Sequence, residues 1–270
     1  MPLRSVPPVV EGAFVEWYIS MTMTVGRIPY LSYEPFYFDM PRRGIRLIDL
    51  APSAVAEAVE QGQIDAGPAA LVDCFRLEGQ YRLLSGFCLA TIRKAGSVLL
   101  HANQPIEALS GARIGITGDA ATSFRLLQIL LTLKYQVQPD AYVTLEDPYD
   151  ACLLIGNQGL RQRFGMPEYP HTYDLGEEWH AWTGLPFVFS HWLVRTDLDP
   201  NAIAGLEDAL YVGLQDWADG LFHFAKSRDD LLMHARDILE YTQGLRYFSG
   251  RPEQQAMERF RHYLDQIEVP

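Results

Sequence analysis

The apolar residues of this chain come in short runs closed by turn residues, and that pattern limits the fold more than any other feature. Leu83 to Ala90, Ser97 to Ala102, Ala112 to Thr117, Ala151 to Ile155 and Leu185 to Val194 are such runs. Too short for helices of a core and apolar on both faces, they read as buried strands of a covered sheet. Thr24 to Leu31 and Ile64 to Ala66 read as further strands. Helical patterns alternate with them: Pro52 to Glu60 carries proline in its first turn and Gly62 as terminator. Gly111 opens a second unit of the same kind, with a strand at Ala112 to Thr117, a glycine turn and a helix from about Ala121 to Lys134. The class is α/β.

After Asp199-Pro200 the pattern turns wholly helical. Ile203, Leu206, Leu210, Leu214 and Trp217 form one apolar stripe. A helix follows near Asp229 to Tyr241, and a last one opens at Pro252 and buries Met257, Phe260, Leu264 and Ile267. Two α/β units with short connections and a returning helical tail fit a two-lobed protein whose ligand lies between the lobes. A single doubly wound domain satisfies the same pattern, and periodicity does not separate the two.

Composition narrows the function. With 270 residues, 48% of them hydrophobic, the chain has ample core. Its net charge of −12 argues against nucleic acid and anionic membranes as partners, so an anionic ligand must be held by local geometry. The longest apolar stretch, Leu126 to Leu133, is interrupted by Gln128 and Thr132 and falls short of the ~20 residues of a membrane helix. Pro7, Pro8, Glu11 and Glu16 stand where a signal peptide needs an apolar run, so residues 1–20 read as an extension outside the fold and the protein as cytoplasmic. Cys74, Cys88 and Cys152 have no metal-binding spacing and are expected to be buried, reduced thiols. The scattered histidines offer no ligand pair, so no metal is expected. Gly111, Gly115 and Gly118 do not form a dinucleotide fingerprint, and no cofactor is expected.

Three places stand out as polar groups at strand ends. In Gly118-Asp119-Ala120-Ala121-Thr122-Ser123 a strand feeds a helix, so free backbone N–H groups and the positive end of the dipole make an anion pocket to which Thr122 and Ser123 add hydroxyls. The competing reading is that Thr122, Ser123 or Asp119 merely caps the helix. Ser97 starts an apolar strand and either meets a ligand or bonds locally to backbone. Ser32 follows Ile28-Pro29-Tyr30-Leu31 at another strand end, without the Gly-x-Ser-x-Gly elbow of a hydrolase nucleophile. The crowded stretch Asp174 to Phe189 holds Glu177, Glu178 and His180. These suit acid–base work or the wet face of a helix that turns Trp179 and Trp182 inward, and the wet face is preferred.

Val25-Gly26-Arg27-Ile28-Pro29-Tyr30-Leu31-Ser32-Tyr33-Glu34-Pro35 resembles a G-x-I-x-Y-L-N-x-x-P opening. Gly62-Gln63-Ile64-Asp65, Ser97-Val98-Leu99-Leu100, Ala121-Thr122-Ser123-Phe124-Arg125-Leu126 and Leu154-Ile155-Gly156-Asn157 resemble G-x-[IL]-D, S-V-L-L, x-T-S-x-x-L and L-I-G-D in that order. Asp174-Leu175-Gly176 through Trp179, then Trp182 to Phe189, is similar to D-L-G-x-x-W-x-x-x-T-G-L-P-F-V-F-A. Together these motifs resemble the chorismate dehydratase family of the futalosine route to menaquinone, a branch of the type II periplasmic-binding-protein fold.

The resemblance implies one lobe from residues 21–102 plus 193–270 and another from 103–192, with the substrate between them. It also implies loss of water from chorismate to give 3-[(1-carboxyvinyl)oxy]benzoate, with Ser97, Gly118, Thr122 and Ser123 holding the substrate. Ser32 occupies the place of the family Asn nearest a catalytic role; Asn157 replaces an aspartate and Ser190 an alanine. The alternatives are a non-catalytic paralogue that binds a small carboxylate and the dihydroxynaphthoate synthase of the same pathway, whose S-P-C-P-N-D-type opening is absent.

Overall fold

A computed structural model describes residues 23–224 and 226–267; the extension expected at residues 1–20 lies outside the described residues. Its strands form two sheets. The first runs β11-β4-β10-β3-β1-β2, from β1 (Thr24–Arg27), β2 (Arg46–Asp49), β3 (Ala66–Ala70), β4 (Arg82–Thr91), β10 (Phe187–Val194) and β11 (Leu245–Phe248). The second runs β7-β6-β8-β5-β9, from β5 (Leu99–Ala102), β6 (Arg113–Ile116), β7 (Ala141–Thr144), β8 (Ala151–Leu154) and β9 (His171–Asp174).

The helices supply the cover that such apolar strands require. In the first lobe these are α1 (Glu34–Tyr37), α2 (Val55–Glu60), α3 (Leu71–Arg76) and the long α7 (Pro200–Phe224); in the second they are α4 (Ala121–Ile129), α5 (Gly156–Arg161) and α6 (Leu175–Thr183). Strand β3 is buried along its length and β10 at every residue but Phe189, as expected of central strands covered on both faces. In α7 the predicted stripe is real: Ile203, Leu206 and Leu210 are buried, and the helix packs on α1. Helix α9 (Arg251–Ile267) buries Phe260 and Leu264 and leaves Met257 and Ile267 partly covered; it contacts both β10 and α4, tying the tail to both lobes.

The two-lobed α/β expectation holds, while several sequence boundaries shift. The lobe limits expected at 102/103 and 192/193 do not coincide with the sheets. Leu99–Ala102 pairs antiparallel with β8 and β9 in the second sheet, and Phe187–Val194 pairs with β3 and β4 in the first. The chain therefore crosses between sheets within 92–98 and 184–186. Apolar strands of either sheet look alike in sequence, because burial and not sheet membership sets their composition.

Other differences are local. Strand β1 ends at Arg27, since Pro29 leads into the single 3-10 turn Leu31–Tyr33. The strand expected at Ile64 to Ala66 begins at Ala66. The helix from Ala121 runs as α-helix to Ile129 and continues as a π-helix over Leu130–Tyr135. The tail is not wholly helical: Asp229–Leu231 is a 3-10 turn, α8 spans Ala235–Gln243, and β11 adds antiparallel to β4 at the sheet edge. Cys74, Cys88 and Cys152 are buried free thiols, pushed up by burial to about 12, about 12 and about 11. That keeps them protonated and unreactive.

Candidate active site

The cleft between the lobes is built from short polar turns that the strands place at their ends. It encloses about 580 Å³ of unfilled space, part of it open to solvent, within the range of small-molecule sites. Ser32, Ser97, Thr122 and Ser123, expected from sequence, all line it, joined by Tyr30, Asp119 and Tyr241. Gly118 does not: it lines a separate hollow with Phe124, Tyr142 and Thr144. Gly118 thus stands outside the cleft although Asp119 lines it, while Ala120 borders both spaces.

Thr122 and Ser123 lie in the first turn of α4. The N-cap is Ala120 and no side chain caps the helix, so the reading of Thr122, Ser123 or Asp119 as a simple cap does not hold. Both hydroxyl residues are buried, and Thr122 Oγ1 has no hydrogen-bond partner among the described residues. A buried hydroxyl without a partner is costly unless something else meets it. Here it stands at a helix N-terminus, where backbone N–H groups favour an anion.

Ser97 sits on the crossing segment. Asp174 fixes that segment: its carboxylate accepts from Ala95 N–H at 2.8 Å and Gly96 N–H at 2.6 Å while capping α6 through Gly176 N–H at 2.9 Å and Glu177 N–H at 3.1 Å. Burial lifts the Asp174 carboxyl above its ordinary value despite these donors. Ser97 Oγ accepts a bond from the Tyr241 phenol at 2.9 Å and makes only a long 3.5 Å contact to the Ala95 carbonyl. The local-backbone reading of Ser97 therefore accounts for little of its hydroxyl.

Ser32 is buried in the Leu31–Tyr33 turn. Asn157 on α5 braces this turn from the other lobe, accepting from Leu31 N–H and donating to the Pro29 carbonyl, both at 3.1 Å. The approach is close enough to require glycine beside it. Gly156 has φ +55°, and a Cβ there would come within 2.5 Å of the Tyr30 ring. Tyr33 donates to Ser190 Oγ at 3.0 Å, and burial holds its phenol well above the ordinary range. Tyr30 is pushed up to about 12 by burial, with Asp119 adding to the shift.

Asp119 is the only charged side chain lining the cleft among the described residues, and it contacts Ser53 Oγ across the opening at 3.5 Å. Neutral donors must therefore carry any anion. The Asp174 to Phe189 block is structural but for Phe189, which lines the cleft: Trp179 is buried edge-on to Phe187 and Phe260, and Trp182 stacks on Tyr263. Glu177 is exposed, while Glu178 pairs with Lys134 and accepts from Tyr135, and His180 Nδ1 lies 3.2 Å from the Leu185 carbonyl. None of the three lines the cleft. Sequence reasoning missed Asp119 as a cleft residue, treating it only as a possible cap. It also missed Tyr241, which no local pattern connects to a strand end more than a hundred residues earlier.

The fold and cleft define a protein built like a periplasmic binding protein. The aliphatic sulphonate-binding protein SsuA of Escherichia coli superposes with a TM-score of 0.58 at 14% identity, over 91% of this chain and 86% of that one. A family described as menaquinone biosynthesis matches residues 23–266, and the chain belongs to that family. Chorismate dehydratase of Thermus thermophilus is 24% identical over 255 residues, covering 87% of this chain and 92% of the relative. The 1,4-dihydroxy-6-naphtoate synthase of the same organism is 29% identical over 150 residues, about half of each chain.

Proposed function

We propose that the protein is a chorismate dehydratase, a carbon–oxygen lyase that removes water from chorismate to give 3-[(1-carboxyvinyl)oxy]benzoate on the futalosine route to menaquinone. The observation that carries this is the buried, unpartnered Thr122 hydroxyl beside Ser123 at the N-terminus of α4, inside a cleft where Asp119 is the only charged side chain among the described residues. The likeness to a chorismate dehydratase along most of both chains supports the reading. A cytoplasmic setting fits a substrate of central metabolism, and no helix among the described residues is long and apolar enough to cross a membrane.

Chorismate carries one carboxylate on its ring and a second on its carboxyvinyl ether, and the ring becomes aromatic when water leaves. The α4 terminus seats one carboxylate through backbone N–H groups and two hydroxyls, a set of neutral donors suited to a protein of net charge −12. Ser97 meets the second carboxylate or the ring hydroxyl, and Ser32 faces the reacting ring. No histidine or lysine lines the cleft among the described residues, and Asp119 is the protein carboxylate that does; in this reading the substrate's own carboxylate takes the ring proton and hands it to the departing ring hydroxyl, which leaves as water. The new double bond completes the aromatic ring.

Incubating the purified protein with chorismate and following mass by chromatography tests this. A product lighter by one water is the expected result. Chorismate that is bound but unchanged would identify instead a binding paralogue on the same fold.

A further inference from the structure

Tyr241 lies on α8, in the tail that follows both lobes, yet its phenol reaches the cleft. It donates to Ser97 Oγ at 2.9 Å. The ring packs on the crossing segment itself: Gly96 has φ +69°, and a Cβ there would stand 3.1 Å from Tyr241 Cδ2. Asp174 holds the Ala95 and Gly96 amides of the same segment, so the segment is held by both a buried carboxylate and an aromatic ring.

A serine hydroxyl has one proton to give. With a lone pair of Ser97 Oγ occupied by the phenol, that proton is left with only the 3.5 Å contact to the Ala95 carbonyl. Hydrogen bonds in a chain also strengthen one another, so a serine that accepts from a phenol is a better donor in turn. Burial pushes the Tyr241 phenol up to about 12, with Ser97 and Ser32 pulling it back, which keeps it protonated and donating throughout the neutral range.

We propose that Tyr241 is a positioning residue for the ligand: its phenol, bonded to Ser97 Oγ, turns the Ser97 proton into the cleft as the donor to a substrate oxygen. The inference rests on the chorismate reading above and adds to it the segment that orients one of its donors. It makes the C-terminal tail part of the site, because removing the phenol leaves Ser97 in place but free to rotate its proton to backbone.

The test is a double-mutant cycle of Tyr241→Phe and Ser97→Ala in the full chain, read as kcat/KM for chorismate with melting temperature as control. Tyr241→Phe keeps the ring on Gly96, so the fold should stay intact. The expected result is a fall of roughly three- to tenfold for Tyr241→Phe, the worth of one neutral hydrogen bond, and a double variant no worse than Ser97→Ala alone. Full activity in Tyr241→Phe, or losses that multiply independently, would overturn the inference and leave the dehydratase reading standing. If the parent binds chorismate without turning it over, the dehydratase reading fails by itself and the same cycle read in chorismate affinity decides: coupled losses support the role of Tyr241, and independent losses or none overturn it. A parent that binds no chorismate overturns both.

Discussion

Asn157 on the second lobe grips Leu31 on the first. Its side-chain oxygen accepts from the Leu31 amide, and its nitrogen donates to the Pro29 carbonyl two residues earlier. The amide is used at both ends, which a carboxylate cannot reproduce because it has no proton to give. Asn157→Asp should therefore cost about 1 kcal/mol from the lost bond and the repelled carbonyl. A melting temperature lower by a few degrees, with a raised KM because Ser32 adjoins the braced turn, is the outcome to look for in calorimetry and steady-state kinetics. An unchanged variant would show that the brace has no energetic weight.

Among the described residues Asp119 is the one protein carboxylate placed to compete with the substrate for the ring proton. If the substrate's own carboxylate is the base, Asp119→Asn should keep kcat within about threefold and lower KM, since a like charge leaves the approach of a dianion. Loss of turnover on the order of a hundredfold or more at unchanged affinity, the size expected for a removed general base, would make Asp119 that base instead.

Ser32 is the departure from the family pattern that reaches the cleft wall. Ser32→Asn should preserve or raise dehydration, because the longer amide adds a paired donor and acceptor in reach of the ring. Rates with chorismate in both proteins settle the point. Abolished chorismate binding would place the active site elsewhere.

Buried histidines set the acid limit of stability. His101 Nδ1 lies 3.0 Å from Thr172 Oγ1 while its Nε2 has no partner among the described residues, and neither has His191 Nδ1. Burial holds both below the ordinary value of 6.5. Their unfolded forms then bind protons first as pH falls, so stability is full above 6.5 and declines below it. The melting temperature should drop between about pH 7 and pH 5.5, and His101→Gln, which can still bond Thr172, should flatten that slope. An identical slope in the variant would remove His101 from the account.

The α/β class and the buried strands were readable because burial on both faces leaves a continuous apolar run, as in Phe187–Val194. The same uniformity hid which sheet each strand joins, so Leu99–Ala102 and most of β10, residues 187–192, fell on the wrong sides of the expected lobe limits. Strand β11, Leu-Arg-Tyr-Phe, has no period long enough to set it apart from the helices around it. At the site, strand ends and helix starts exposed Ser32, Ser97, Thr122 and Ser123, since each is polar where the local pattern is apolar. Gly118 was misplaced because a turn's sequence does not say which of its residues faces which side. Tyr241 was illegible for a different reason: it belongs to the cleft only through the return of the tail.

The central claim is that the first turn of α4 seats a substrate carboxylate, and Thr122→Ala with Ser123→Ala tests it most directly. Thr122 Oγ1 bonds to nothing among the described residues, so its loss should leave the melting temperature unchanged or slightly raised. Chorismate turnover measured as kcat/KM should nonetheless fall on the order of a hundredfold in the double variant, two hydrogen bonds to a charged group having been removed. Undiminished conversion of chorismate by a normally stable double variant would contradict the account.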